Sequence, residues 1–590
     1  MKKQSKGIIS RAFKAMLLVQ LMTMLTGIVG SVVDGAVTGR FLGENAMAAF
    51  GFTTPVTLAA AIAASILSTG TSLLCSKSVG EGRLERTRYL FSVCCTGTFI
   101  LAALITAGIL FFAAPLAALA GAKGDMISLA ADYIRGYGIA CPAILLVSVL
   151  LPILQMDGEM NRIVLAAMVM TLGDIAADLL NVLVFHGGML GMALATAISY
   201  YLAFLVLLPH FLRRDAIFVR PGLTLDKAVL GAMFTRGIPA AASQIGRLLL
   251  TFILNRFLYA LGGDPVVAAH AVILSLGNLC MVPGSALGSA TEILTGVLSG
   301  EEDRSGLVQM MRTALRYNLL LNGAAMLMFL AGASPLVGMF YQGNVQMLQT
   351  AVTGARLYAL SMLFYGANLI FRSYCQGFGH LRIAYIQTTL DSFAAPLAAA
   401  LLLGLCFGVP MFWLGFAAGY ALVTAGMVLF FKRSNPGVKG VESILLFPES
   451  FCQDIEDQLE ISISQRDVSR AVDASIQAAA FAKRNKASRR TSYLIGLAVE
   501  EAVSNILEYG FADGKSHEVN IRILSKREEY IIRVRDDCAL FDPGCYLKQF
   551  SDKDVTANIG LRILYGTAAD ITYLNALKLN NLIIKLWQNI

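Results

Sequence analysis

Charge is what this sequence has least of. Only 15% of its 590 residues are Asp, Glu, Lys or Arg, while 56% are hydrophobic and the mean hydropathy is +0.66. A soluble domain carries about a quarter charged residues, so the shortage argues against a wholly soluble chain and for a membrane protein. Cys-x-x-Cys pairs are missing as well. The ten cysteines, several of them inside apolar runs (Cys94, Cys95, Cys141, Cys280, Cys406), read as small packing residues in a reducing setting and not as a metal-ligand series. No Gly-x-x-x-x-Gly-Lys-Ser/Thr occurs, which argues against a P-loop motor. The N-terminus, Met1-Lys2-Lys3-Gln4-Ser5-Lys6, lacks a small-residue cleavage site. The apolar run after it therefore reads as a first transmembrane helix with its cytoplasmic anchor, not as a signal peptide.

What charge there is falls unevenly. Up to Lys432 long apolar runs alternate with short charged loops; after Asn435-Pro436-Gly437 the runs shorten to strand length. The reading is two six-helix halves over residues 1–218 and 219–434, a linker over 435–449, and a small α+β domain over 450–590. Twelve spans are expected, starting near residues 14, 51, 89, 127, 161, 189, 233, 265, 312, 348, 382 and 410. Alternate loops are basic, with Lys77, Arg83, Arg86 and Arg88; Arg162; Arg213, Arg214, Arg220, Lys227 and Arg236; Arg304 and Arg312; Arg372 and Arg382; Lys432 and Arg433. The positive-inside rule puts these loops and both termini in the cytoplasm of a multi-pass inner (plasma) membrane protein embedded in lipid. Topology accounts for most of the net charge of +8, so no nucleic-acid partner is implied. The basic run Lys483–Arg490 reads as a solvated loop, with contact to anionic lipid headgroups as the rival reading.

The halves echo one another at a distance of about 220 positions. Phe41-Leu42-Gly43 with Ala48-Ala49 matches Ala260-Leu261-Gly262 with Ala268-Ala269; Ser78-Val79-Gly80-Glu81 matches Leu298-Ser299-Gly300-Glu301; Gln155-Met156-Asp157-Gly158 with Arg162 matches Gln376-Gly377-Phe378-Gly379 with Arg382. Six helices per half makes the repeat parallel, a plan in which transporters bind substrate between the halves and rock one against the other.

Acids at membrane depth are costly and mark ion or substrate paths. Asp34 lies in the first span, and Asp174, Asp178 and Asn181 share one face of the fifth. Such a face opposite Asp34 suits a proton, Na⁺ or a cationic substrate; helix capping or interhelical hydrogen bonding is the competing reading. Arg247, Asn255, Glu292 and Asp391 also fall in apolar runs, where loop-proximal placement or a structural ion pair competes.

Over about residues 8–433 the sequence resembles the multidrug and toxic compound extrusion family. The resemblance rests on Val33-Asp34-Gly35-Ala36-Val37-Thr38-Gly39-Arg40-Phe41-Leu42-Gly43, on Gly173-Asp174-Ile175-Ala176-Ala177-Asp178-Leu179-Leu180-Asn181 with Gly191-Met192-Ala193-Leu194-Ala195-Thr196, and on Gly237-Ile238-Pro239 and Asn255. It implies an all-α bundle of twelve helices and export of organic, often cationic, compounds in exchange for H⁺ or Na⁺. Asp34 matches the family's first-helix acid; Asp174 stands where the family has Asn, and Asp178 keeps the family's Asp. Arg247 stands where some relatives have an acid. Asp34, Asp174, Asp178, Asn181 and Asn255 are the candidate ion- or substrate-binding residues. A lipid-linked substrate flippase, which would need a basic cavity, is an alternative.

The tail reads as helices over 466–484 and 490–508 and strands over 517–524, 530–535, 570–574 and 582–586. Glu501 and Asn505 are one helical turn apart; Val534-Arg535-Asp536-Asp537-Cys538 ends a strand, and Asn558-Ile559-Gly560-Leu561 opens a helix. These boxes resemble the GHKL ATP-binding fold, and within it the anti-sigma-factor type of serine kinase. The resemblance implies ATP and Mg²⁺ as cofactors, Asn505 on the metal, Glu501 as the catalytic residue that positions or deprotonates the attacking hydroxyl, Asp536 on adenine and Gly560 at the phosphates. It implies an anti-sigma-antagonist-like protein as a possible partner. Asp536-Asp537-Cys538 and Asn558-Ile559-Gly560 each lack a glycine of the family pattern. The expectation is a gradient-driven exporter with an ATP-binding regulatory tail, and the rival is a membrane-tethered serine kinase using the bundle as its sensor.

Overall fold

In the computed structural model, residues 7–213, 216–339, 345–513, 515–549 and 559–588 are described; the basic residues Lys2, Lys3, Lys6 and Arg214, and Asn558 of the last box, lie outside them. Long apolar stretches with few breakers become helices because a bilayer leaves backbone groups no other partner. Among the described residues, ten helices are long and apolar enough to cross a membrane. The one spanning Lys227–Cys280 breaks at Gly263 (φ 70°), and its second piece continues into Val282–Gly300 as one crossing. Val345–Ala359 and Ser361–Phe378 together make another. Among the described residues the crossings so counted number twelve, six per half, close to the expected starts.

Each half buries a core of its own, one around Ile134, Ala140 and Met192, the other around Leu254, Phe329 and Trp413. A third cluster lies on the tail side, joins both halves and takes in Leu524, Ile531, Leu579 and Ile583 of the soluble domain. Here the second and eighth spans meet backbone to backbone. A Cβ on Gly80 would strike the Val297 carbonyl, and one on Gly300 the Lys77 carbonyl. Gly300→Val is therefore expected to pry the halves apart on this side, which cysteine cross-linking between the second and eighth spans would register as a lost cross-link.

The tail forms a five-stranded antiparallel sheet, ordered β1 (Ile455–Ile463), β2 (Val519–Lys526), β3 (Glu529–Asp536), β5 (Leu579–Trp587), β4 (Asp570–Ala576). Two helices, Ser469–Arg484 and Arg489–Tyr509, pack on one face through alternate residues such as Ile521, Ile523, Ile532, Val534 and Ile584. The four strands and two helices expected from the sequence are present within a few residues; β1, an edge strand, adds to them. The intervening positions of β2, β3 and β5, Arg522, Arg533, Arg535 and Asn581, are buried against the membrane bundle.

Candidate functional site

Two adjoining cavities run between the halves. One, about 910 Å³, is walled by Met24, Leu250, Leu254, Tyr358, Tyr365 and Tyr420 and includes Asn255; the other, about 600 Å³, lies nearer the tail and includes Gln20, Gln155, Glu292, Arg372 and Gln376. They share Met24, Gln244, Arg247, Ser285 and Tyr365. Gln155 and Gln376, matched in the sequence repeat, both line the lower cavity, so the duplication shapes its wall. Pairing of Asp391 with Arg372 (3.7 Å) fits the structural ion-pair reading, whereas Arg247, Asn255 and Glu292 face the cavities.

Asp34, Asp174, Asp178 and Asn181 are not among the residues lining either cavity. They gather inside the first half, where Asp34 faces both Asp174 and Asp178 at carboxyl hydrogen-bonding range. Ser199 donates to Asp174 at 3.3 Å. Among the described residues no donor reaches either buried oxygen of Asp178, nor Oδ1 of Asp34. Asn181 instead holds backbone: its amide donates to the Gly188 carbonyl at 3.1 Å and its oxygen accepts from the Gly187 N–H at 3.1 Å. A π-helical turn, Asn181–Phe185, starts at this residue; others occupy Thr38–Leu42, just past Asp34, and Leu390–Ala394, which holds Asp391. Such turns carry an extra residue and favour functional positions, and nothing in the side-chain pattern announced them.

In the tail, Glu501 and Asn505 lie on the Arg489–Tyr509 helix, and Gly560 opens the Ile559–Thr567 helix beside it. A Cβ at Gly560 would strike the Glu501 side chain in its present position, so this helix end and that carboxylate lie in direct contact. Burial, with Glu500 alongside, raises the Glu501 carboxyl above its ordinary value. Asp536 is buried at the end of β3. Its Oδ1 accepts from the Cys538 N–H at 2.9 Å and from the Asn580 amide at 2.8 Å. Burial dominates these bonds and raises its carboxyl too. Asn580, from β5, also reaches the Ala539 carbonyl at 3.0 Å; its spacing gave no sign of this role. The groups fit a nucleotide: an acid to accept from an adenine amine, an amide oxygen for a metal and a helix N-terminus for phosphate.

The next residue, Asp537, looks the other way. Its carboxylate pairs with Arg11, at the start of the first span, at 2.5 Å; Arg11 also reaches Glu518 at 3.2 Å and the Ser516 carbonyl at 2.9 Å. Arg522 donates to the Glu301 and Glu302 carbonyls at 3.0 and 2.6 Å, and Arg533 to the Gly80 carbonyl at 3.1 Å. Glu301 sits between Arg535, which it bonds, and Arg533 at 3.7 Å, and accepts from Asn581 at 3.1 Å. Gly80 and Glu301 come from the two matched loops, one in each half, so the sheet spans the seam between them.

Residues 20–180 and 239–398, more than half of the chain, match the MatE family. The chain belongs to that family. Residues 465–585 of this MatE-family protein match the histidine kinase-like ATPase domain. Its curated relatives include the probable multidrug resistance protein YoeA of Bacillus subtilis, 24% identical over 347 residues, covering 57% of this chain and 75% of YoeA. Another is the multidrug export protein MepA of Staphylococcus saprophyticus, 23% identical over 402 residues, covering 65% and 85%. Among solved structures, a MATE protein in complex with MaD3S superposes with a TM-score of 0.68 at 21% identity, over 74% of this chain and 97% of that one. A MOP superfamily transporter from Pyrococcus furiosus, described as having a binding pocket of reversed polarity that suggests a different function, also gives 0.68 at 21% identity, over 75% and 99%. These two likenesses show the fold of the membrane part.

Proposed function

We propose that this MatE-family protein exports small organic compounds through the cavity between its halves, driven by H⁺ or Na⁺, and that its tail binds ATP with Mg²⁺ and regulates that export from the cytoplasmic side. The observation that carries the reading is the Asp34–Asp174–Asp178 cluster. Three carboxyl groups this close, short of protein donors, call for a cation among them. A proton or Na⁺ bound there sits apart from the substrate cavity, so it drives the change by altering how the first and fifth spans pack. The family relatives named as multidrug proteins support drugs as cargo.

Regulation follows from adjacency. Asp536 takes the adenine amine while Asp537 holds Arg11 on the first span, which also carries Asp34. A nucleotide that shifts the end of β3 therefore shifts an ion pair at the root of the span that bears the coupling acid. Asp536→Asn is expected to weaken nucleotide binding to the detergent-purified protein by about tenfold to a hundredfold, the worth of one charge-assisted hydrogen bond. An equal affinity in both proteins, read by fluorescent ATP analogue titration, would remove Asp536 from the site.

The export reading is tested by drug efflux from vesicles with Asp34→Asn, Asp178→Asn and Asn505→Ala beside the unaltered protein. The two acid variants are expected to lose efflux, and Asn505→Ala to lose only its response to ATP. A second reading, of the tail as a serine kinase, draws support from the Glu501 carboxylate lying at the Gly560 helix end, where it would take a proton from an attacking hydroxyl. Phosphoserine on an anti-sigma-antagonist-like protein, lost in Glu501→Ala, would establish it; no phosphoserine would leave nucleotide sensing as the tail's role.

A further inference from the structure

The charges that face the export cavities come from the second half. Arg372 has its counter-ion in Asp391, at 3.7 Å, and is further tied to Ser243 at 3.1 Å. Arg247 differs. It lines both cavities at the point where they join, and its guanidinium reaches only neutral groups: the Gln244 side-chain oxygen at 2.7 Å and the Tyr365 hydroxyl at 3.4 Å. Among the described residues it forms no ion pair. Glu292, the one acid among the described residues of these walls, lines only the lower cavity, and the positive charge that acts on it is that of Arg372.

An arginine held at membrane depth with no carboxylate in ion-pair contact is expensive and is kept there for a ligand or an ion path; Asp391, whose charge it feels from a distance, is already paired with Arg372. Its planar fork matches a carboxylate in two parallel hydrogen bonds. Around it stand Tyr358, Tyr365 and Tyr420, with Met24 and Leu250, a wall suited to a flat aromatic body. We infer that Arg247 is the recognition residue of the cavity, and that the exported compounds are aromatic molecules carrying a carboxylate. This rests on the export reading for its physiological meaning, but the recognition step is a binding event that stands by itself. It narrows the expectation of organic, often cationic, cargo, since Asp34, Asp174 and Asp178 are not among the residues lining the cavities.

The test uses the full chain in detergent and two probes: a fluorescent xanthylium dye with a free benzoate, and its methyl ester. They share size, rings and the cationic centre and differ only in the carboxylate. The carboxylate dye is expected to bind about tenfold tighter than the ester, as a charge-assisted pair predicts. Arg247→Gln should abolish that preference, bringing the acid and the ester to equal affinity, and Arg247→Lys should keep part of it. An ester that binds the unaltered protein as tightly as the acid overturns the inference, as does a preference that survives in Arg247→Gln. Efflux of both dyes from vesicles is scored separately: bound but unmoved dyes would refute export and leave the recognition by Arg247 intact.

Discussion

Glu301→Ala is expected to loosen the docking of the tail sheet by about 3–5 kcal/mol, the cost of leaving a buried charge without its partner. The glutamate bonds Arg535, lies 3.7 Å from Arg533 and accepts from Asn581, and all four side chains are less than a tenth exposed. Removing it leaves Arg533 without an ion-pair partner and Arg535 with only Asp303, at 3.7 Å, between a sheet and a membrane bundle, away from water. Glu302→Ala is the contrast. Its carboxylate pairs with Lys526 at 2.6 Å but is 29% exposed, so its loss is expected to cost less than about 1 kcal/mol. Protease cleavage in the linker beside Gly440, together with thermal unfolding, would separate the two variants. The same junction sets a pH window. Burial pushes the Asp303 carboxyl up, but Arg522 and Arg535, with the Gly306 N–H and the Ser305 hydroxyl, outweigh it, so the group sits below its ordinary value. An acid lowered on folding contributes stability above its unfolded value, near pH 4, and loses it as pH falls through the lower folded value. Docking should hold from neutral pH to about pH 4 and fail only below it.

The second large effect is expected in the first half. Asp178→Asn keeps the shape of the side chain and removes a charge that no protein donor answers. If a coupling cation sits among the three acids, this change takes away a ligand buried to within 1% of complete enclosure. Gradient-driven efflux should fall to the level of protein-free vesicles, with folding preserved, since no hydrogen bond from the protein is lost. Asn181→Ala is expected to do the reverse: it breaks two bonds to Gly187 and Gly188 and should lower stability before it touches coupling.

The spans were legible because membrane thickness fixes their length, and the acids because their cost at that depth makes them conspicuous. The paired loops at Gly80-Glu81 and Gly300-Glu301 were legible as a repeat, and in the fold they stand side by side under the sheet. What the sequence hid was the other surface each element meets. Alternation along β2 and β3 separated Ile521, Ile523, Ile532 and Val534 from Arg522, Arg533 and Arg535, and the arginine face looked like one meant for water. Its true partner is a glutamate more than 220 positions earlier, which no local pattern reports. The same holds for Asn580, whose service to Asp536 depends on β5 lying beside β3. β1 escaped notice because its Glu456, Asp457, Gln458 and Glu460 dilute the apolar alternation of an edge strand. The π-helical turns depend on one extra residue in a helix, which leaves side-chain periodicity almost unchanged.

Export powered by an ion gradient is the central claim, and reconstituted vesicles test it most directly. The full chain would be placed in liposomes with a substrate dye, and dye movement followed under an imposed H⁺ or Na⁺ gradient without nucleotide. Then both gradients would be collapsed with ATP and Mg²⁺ present on the tail side. The account predicts movement while a gradient stands and arrest on collapse, ATP notwithstanding. Dye movement that continues at full rate on ATP alone would contradict it.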